Sequence, residues 1–275
     1  MGKLMNNPLF ITGSFLALFF VLLSLAGPLL IPHDPLKTDI WNVLAPPGGD
    51  YPLGTDNLGR CIFSRLIAGT RLTLGTALIV EASILAIGIL TGMIAGYFGG
   101  IVEEILLTVI DILLAFPSII LALVIAGLLG AGLTNLVIAF VSVYWVESAR
   151  VARNISRSVR EKDFILSARA SGSGAFKIIR LHILPHVFPN MLIYGTLNIS
   201  SIIIGISSMS FIGLGVKPPA PEWGALLSEG RAYMRENPLM ILSAVGCIML
   251  SAACFQLLGE ALRDALNPRK SHLLS

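Results

Sequence analysis

Charge is what this sequence has least of. Of 275 residues only 13% are Asp, Glu, Lys or Arg, where a soluble domain averages about 25%. Hydrophobic residues make up 55% and the mean hydropathy is +0.84. That balance excludes an ordinary water-soluble enzyme and marks an integral membrane protein. Cysteine is also sparse. Cys247 and Cys254 lie in an apolar run, where a free thiol behaves as a small hydrophobe, and with Cys61 they make only three, so no disulfide framework is implied. Equally absent are a Gly-x-x-x-x-Gly-Lys-Ser/Thr run, a His-Glu-x-x-His pair and a serine elbow matched to an intramembrane histidine. The chain therefore has no P-loop with which to hold ATP, and an intramembrane protease is poorly supported. No catalytic residue is assigned.

What the chain does have is apolar length. Leu9–Ile31 is uncharged and long enough to span a bilayer. It is too long for the core of a cleaved leader and no small-residue cleavage site follows, so it reads as an anchor. Leu72–Tyr97, Ile105–Leu129, Leu133–Ala149, Val187–Phe211 and Pro238–Leu258 supply five further spans. The expected fold is an all-α integral membrane bundle of six transmembrane helices. Its parts are an anchor helix over 1–31, an extracytoplasmic segment over 32–71, a five-helix core over 72–259 and a tail over 260–275. In the second part, Thr55 or Asp56 is the candidate cap of a short amphipathic helix striped by Leu58, Ile62, Phe63 and Leu66. Gly99–Glu104 reads as a tight turn, and Glu222–Asn237 as a short, partly helical outer segment.

Lys and Arg placement orients the bundle. With the amino terminus inside, the inner segments hold twelve basic residues: Lys3, eight from Arg150 to Arg180, and Arg263, Arg269 and Lys270. The outer segments hold seven, balanced by nearby acids. Both termini are thus expected in the cytoplasm. Gly88, Gly92 and Gly96 recur every four residues, which suits close helix packing, either internal or with a similar subunit. Pro117 and the Gly213–Gly215 stretch interrupt helices, as a cavity lining or a plain kink would.

Glu81 and Asp111 fall inside spans, where a carboxylate faces a pathway or an interhelix partner. His182 and His186 have the i, i+4 spacing of metal ligands. Pro185 lies between them, however, and is expected to break the helix that would align them, so no metal site is assigned.

The longest polar interruption is Arg160–Pro189, REKDFILSARASGSGAFKIIRLHILPHVFP. Two short helical pieces, Asp163–Ser171 and Ala175–Leu184, flank a glycine break. Phe176, Ile179 and Ile183 form a stripe on the second, and Pro185 is expected to end it. Such an element either lies on lipid headgroups or docks a soluble partner.

Here the residues resemble a known family. Ala168, Gly172 and His182-Ile183-Leu184-Pro185 look like the coupling loop of ABC-importer permeases, and the loop over 160–189 would then be the coupling helix that fits a groove on the ATPase. The family's glutamate falls at Leu166, so docking would lean on shape, apolar burial and basic residues. Burial of Phe164, Leu166 or Phe176 would supply roughly 1.5–3 kcal/mol each. Pro52-Leu53-Gly54-Thr55-Asp56, Gly59-Arg60 and Ser64-Arg65 resemble the outer signature of the dipeptide, oligopeptide and nickel branch, with Cys61 replacing its second Asp. AFPSIILAL, SFIGLGVKPPAPEWG and LLGEALRDALNP extend the likeness from about Pro32 to Pro268, and it is greatest to the C-type subunit.

The resemblance implies an importer-type permease bundle in the inner membrane, multi-pass, and no enzyme itself. It implies a second permease as heterodimer partner, two ATPase subunits using ATP and Mg, and an extracytoplasmic binding protein, with no cofactor bound by this chain and no nucleic acid. Residues implied for ATPase coupling are Phe164, Leu166, Ser167, Ala168, Arg169, Gly172, Phe176, His182, Leu184 and Pro185. Glu81, Asp111 and Met209 are the candidate translocation-path residues. The Ser171–Gly174 run, Trp145 ahead of Arg150, and Met209-Ser210-Phe211 lean toward nickel or a nickel chelate as cargo, with short peptides the alternative. A passive channel or membrane assembly factor is the reading outside the importer class.

Overall fold

In hydrocarbon, a helix satisfies every backbone N–H and C=O within its own segment, and this chain follows that rule almost throughout. The computed structural model describes residues 8–266. Lys3, Arg269, Lys270 and the end of the expected tail lie outside the described residues. Ten α-helices form in order: α1 (Pro8–Leu30), α2 (Ile62–Phe98), α3 (Gly100–Leu114), α4 (Ser118–Leu129), α5 (Leu133–Arg160), α6 (Asp163–Ala170), α7 (Ala175–Ile178), α8 (Leu184–Phe211), α9 (Trp223–Gly230) and α10 (Leu239–Leu266). Among the described residues, extended pairing is confined to a single Thr55–Cys61 bridge.

Among the described residues, five helical stretches are long and apolar enough to cross a membrane, and α3 with α4 makes a sixth if that bent pair is one span. This is the all-α membrane fold expected, with three differences of detail. The expected third span is not merely interrupted at Pro117, as anticipated, but broken sharply, with α3 and α4 meeting at 82°. Pro117 offers no N–H and keeps Phe116 out of the α region, so the helix cannot run through. The expected short amphipathic helix is not separate: Ile62, Phe63 and Leu66 lie in the first turns of α2, which continues for 37 residues. Leu58 precedes it. Neither Thr55 nor Asp56 caps it directly. Asp56 Oδ1 instead accepts the N–H groups of Leu58 and Arg60 at 2.8 and 3.0 Å and shapes the turn before it. The expected Gly99–Glu104 turn shrinks to a break at Gly99, whose φ of +69° suits glycine.

The chain divides into two compact units, with divisions that fall inside helices. The first comprises residues up to Ile79, Ala126–Val137 and those from Leu197 onward. In it α1 lies on α10, where a Cβ at Gly13 would come within 2.9 Å of the Leu258 nitrogen. Ser200 Oγ donates to the Ala252 carbonyl at 2.7 Å and ties α8 to α10. Trp223, fully buried at the start of α9, donates its indole N–H to the Leu66 carbonyl at 3.0 Å and sets its ring 6.2 Å from that of Phe20. Glu222 caps α9 by accepting the N–H groups of Gly224 and Ala225 at 3.0 and 2.9 Å. Burial pushes its carboxyl above the usual range, and those donors oppose the shift.

The second unit comprises Val80–Ile125 and Ile138–Thr196. Here the four-residue glycine spacing serves internal packing of α2 on α5. A Cβ at Gly92 would lie 2.4 Å from the Ala149 carbonyl oxygen, and one at Gly96 2.6 Å from that of Arg153. Backbone contact that close leaves room only for hydrogen. Ser148 and Ser156 on α5 then reach the carbonyls of Ile84 and Met93 at 3.4 and 3.2 Å.

Candidate functional site

The polar loop folds into an elbow within the second unit. α6 starts at Asp163, whose carboxylate suits the positive end of the helix. It closes on a paired bond: Ser173 N–H to the Ala168 carbonyl at 3.0 Å and Gly172 N–H to that of Arg169 at 2.9 Å. This is a Schellman ending, and it places Gly172 at φ +78° with nothing near its missing Cβ. Glycine is needed there for the backbone turn and not for space.

α7 then runs into a π-helical turn over Ile179–Ile183 and on into α8. Pro185 therefore does not end the second piece as expected. It sits in the first turn of α8, where its missing N–H is tolerated, and the helix widens just before it, Leu184 N–H bonding to the Ile179 carbonyl. The wider turn changes which residues share a face. Ile165, Ile178 and Ile183 are fully buried against Ile89, Met93 and Val159. Phe176, expected on the stripe with Ile183, points outward at 76% exposure. Sequence spacing at 3.6 residues per turn cannot register a π turn.

The outer face is unlike the inner one. Leu166 is 54% exposed and Phe164 39%. Ser167, Arg169, Gly172 and Pro185 are exposed, as are Lys177 and Arg180, while Ala168, His182 and Leu184 are half-buried. Phe164 stacks on the His186 ring at 5.6 Å and tilts against that of His182 at 6.2 Å. His182 and His186 are aligned after all, since the helix is unbroken, but His186 Nδ1 lies 2.8 Å from the His182 carbonyl oxygen. Among the described residues no group of three or more His, Cys, Asp or Glu is placed to hold a metal ion. The Arg169 guanidinium lies 4.8 Å above the Tyr97 ring and fastens the elbow to α2. Glu103 on α3 pairs with Arg153 and lies 3.6 Å from Arg157, so the basic end of α5 is partly neutralised.

Residues 88–272, which contain the whole elbow, match the family described as "Binding-protein-dependent transport system inner membrane component", and residues 1–47 match "N-terminal TM domain of oligopeptide transport permease C". The chain belongs to the binding-protein-dependent transport system inner membrane components. Similar proteins include the nickel transport system permease protein NikC of Escherichia coli, 37% identical over 90% of this chain and 89% of its own length. The dipeptide transport system permease protein DppC of Alkalihalophilus pseudofirmus is 36% identical over 97% and 88%. The glutathione transport system permease protein GsiD of Pectobacterium atrosepticum is 36% identical over 91% and 85%. As a C-type permease of the dipeptide/nickel branch, the chain is a membrane-embedded subunit of an ABC importer that works with other subunits. The permease is not itself an enzyme, and ATP hydrolysis belongs to partner ATPases.

The candidate path residues of this permease have unlike surroundings. Glu81 is buried on α2 and Met209 is buried on α8, the first in the second unit and the other in the first. Asp111 on α3 is largely exposed and pairs with Arg150 of α5 at 2.7 Å.

Sequence reading missed a second constellation. Asp56, Arg60, Arg65 and Glu229 close into a buried four-member network in the first unit. Asp56 Oδ2 accepts from Arg60 Nε and Arg65 Nη1, both at 2.6 Å. Glu229 Oε2 accepts from Arg60 Nη2 at 2.6 Å and Arg65 Nη1 at 2.7 Å. Two cations against two anions leave no net charge, so every ion has partners for its desolvation cost. Asn237 adds a bond to the Thr55 carbonyl at 3.0 Å. The available signal was the crowding of opposite charges in TDNLGRCIFSR. Its partner Glu229, 164 residues after Arg65, carried none.

Proposed function

We propose that this permease couples a cytoplasmic ATPase to inward movement of nickel or a nickel chelate through its elbow, Phe164–Pro185. The supporting observation is the elbow's two-sidedness. Its inner isoleucines are committed to the bundle, while Leu166, Phe176 and the cations Lys177 and Arg180 are left for another surface. On this reading both termini and the elbow face the cytoplasm of a cell whose inner membrane holds the permease. A second permease completes the pathway, two ATPase subunits close on ATP and Mg, and an extracytoplasmic binding protein delivers cargo. Exposed Leu166, standing where the family has a glutamate, makes an apolar contact in place of a charged one. Closure of the ATPases moves the elbow, and the differential binding of its outer face to their two states shifts the bundle between inward and outward openings.

The test is uptake by the reconstituted importer. Gly172→Asp and Ala168→Arg are expected to abolish transport while the protein stays in the membrane. Both variants also touch the elbow's own fold, since Ala168 packs on the core and Gly172 takes a left-handed φ. Normal uptake by both variants removes the coupling role. Short peptides are the second reading for cargo, favoured by the dipeptide and glutathione relatives at 36% identity over nine-tenths or more of the chain. Labelled nickel offered against labelled dipeptide, each with its binding protein, separates the two.

A further inference from the structure

The first unit carries a groove of about 520 Å³ whose walls are α8, α9, the 3₁₀ turn Arg231–Tyr233 that follows α9, and α10. Its lining is apolar for most of its length: Ile204, Phe211, Leu227, Ile241, Val245 and Ile248. Outer edges at Ile212 and Met249 are more than half exposed. Three of its lining residues are polar, and one of these, Ser208, spends its hydroxyl on the Ile204 carbonyl of its own helix. Arg231 stands in the segment between two spans, at the mouth of the groove, with its guanidinium 5.9 Å from the centre of the Phe211 ring. Among the described residues it makes no ion pair. Ser207 borders the groove from α8, is 3% exposed, and its hydroxyl has no hydrogen-bond partner among the described residues.

We infer that this groove holds one anionic phospholipid, its phosphate on Arg231 and an acyl chain along Phe211, Val245 and Ile248. The polarity runs in the order an amphiphile needs. The single cation of the lining lies in the inter-span segment, where headgroups are met, and most of the apolar wall belongs to α8 and α10, which are long and apolar enough to cross a membrane. A water-filled path would not be walled by isoleucine, valine and methionine, and Arg231 is exposed and open to a charged headgroup. Phe211 holds the guanidinium over its face and aims it without neutralising it. An anionic headgroup supplies the opposite charge, which Glu229 cannot, because Arg60 and Arg65 already hold it.

The experiment uses the full importer, purified from membranes in mild detergent and examined by native mass spectrometry. The probes are phosphatidylglycerol and phosphatidylcholine of equal chain length, offered together. The wild-type complex is expected to retain one phosphatidylglycerol in preference to phosphatidylcholine. Arg231→Gln should cut that preference about fivefold, the ratio equivalent to roughly 1 kcal/mol for one basic group at the membrane surface. Arg231→Lys should keep most of it. Val245→Phe, which fills the groove and leaves the charge, should lower retention of both lipids. A benzoylphenylalanine at Ser208, another residue of the lining, should give a lipid adduct on illumination. Equal retention of the two lipids by the wild type, or an unchanged preference in Arg231→Gln, overturns the proposal. A protein adduct from residue 208 overturns it too, and assigns the groove to the partner permease.

Discussion

The elbow and the four-ion network are opposite solutions to placing charge in an oily chain. In the network each charged group is paired with an opposite one and mostly buried: Asp56 and Arg65 are fully buried, and Glu229, 15% exposed, bridges both arginines. Around the elbow the charges stay outside and the interior is isoleucine. The first arrangement is closed and offers nothing to a partner. The second is half finished, with a satisfied inner side and an outer side still carrying Leu166, Phe176 and cations. The contrast teaches that cost and function separate here. The residues whose loss should unfold the permease are not those whose loss should uncouple it.

Breaking the network is expected to have the largest effect. Arg65→Met leaves Asp56 buried with one arginine and should cost about 3–5 kcal/mol, read as a fall in thermal unfolding temperature and in folded protein recovered from membranes. Transport should fall in proportion to the protein lost, and no further. A smaller effect is expected at the glycine seam. Gly92→Ala drives a methyl to within 2.4 Å of the Ala149 carbonyl, so α2 and α5 must part, at a cost of about 1–3 kcal/mol. Asp111→Asn removes a pair whose members are 42% and 70% exposed and should change stability by about 1 kcal/mol or less. A drop in uptake well beyond the stability change would keep Asp111 as a path residue. The smallest stability effect belongs to Phe176→Ser, within about 0.5 kcal/mol because the ring is already in solvent. Uptake and transport-coupled ATPase activity should nevertheless collapse together. If Phe176→Ser unfolds the protein, or if Arg65→Met abolishes uptake while its fold is intact, the comparison is drawn the wrong way round.

Much of this was legible beforehand. Long runs with almost no charge located the spans, because burying charge in lipid is costly wherever the helix goes. The small-residue spacing at Gly88, Gly92 and Gly96 announced a close helix contact, and the structure shows that contact to be internal, on α5. The Gly172 turn was legible from the residue itself. Other features were not. Pro117 was expected to interrupt its helix and does, whereas Pro185 was expected to end one and does not; the difference is that Pro185 lies in the first turn of α8, where its missing donor is spared. Phe176 was placed on one stripe with Ile179 and Ile183 because the helical period was assumed constant through Ile179–Ile183. The charge network escaped because Glu229 is distant in sequence and became a partner only when α9 folded back beside the start of α2, in the same unit.

The π turn at Ile179–Ile183 carries one residue more than an α turn would need. Absorbing that residue into ordinary winding would twist the peptide ahead of it by about 100° and slide it by about 1.5 Å relative to α8. A change of winding at this one turn would therefore re-aim the elbow without breaking the helix that carries it.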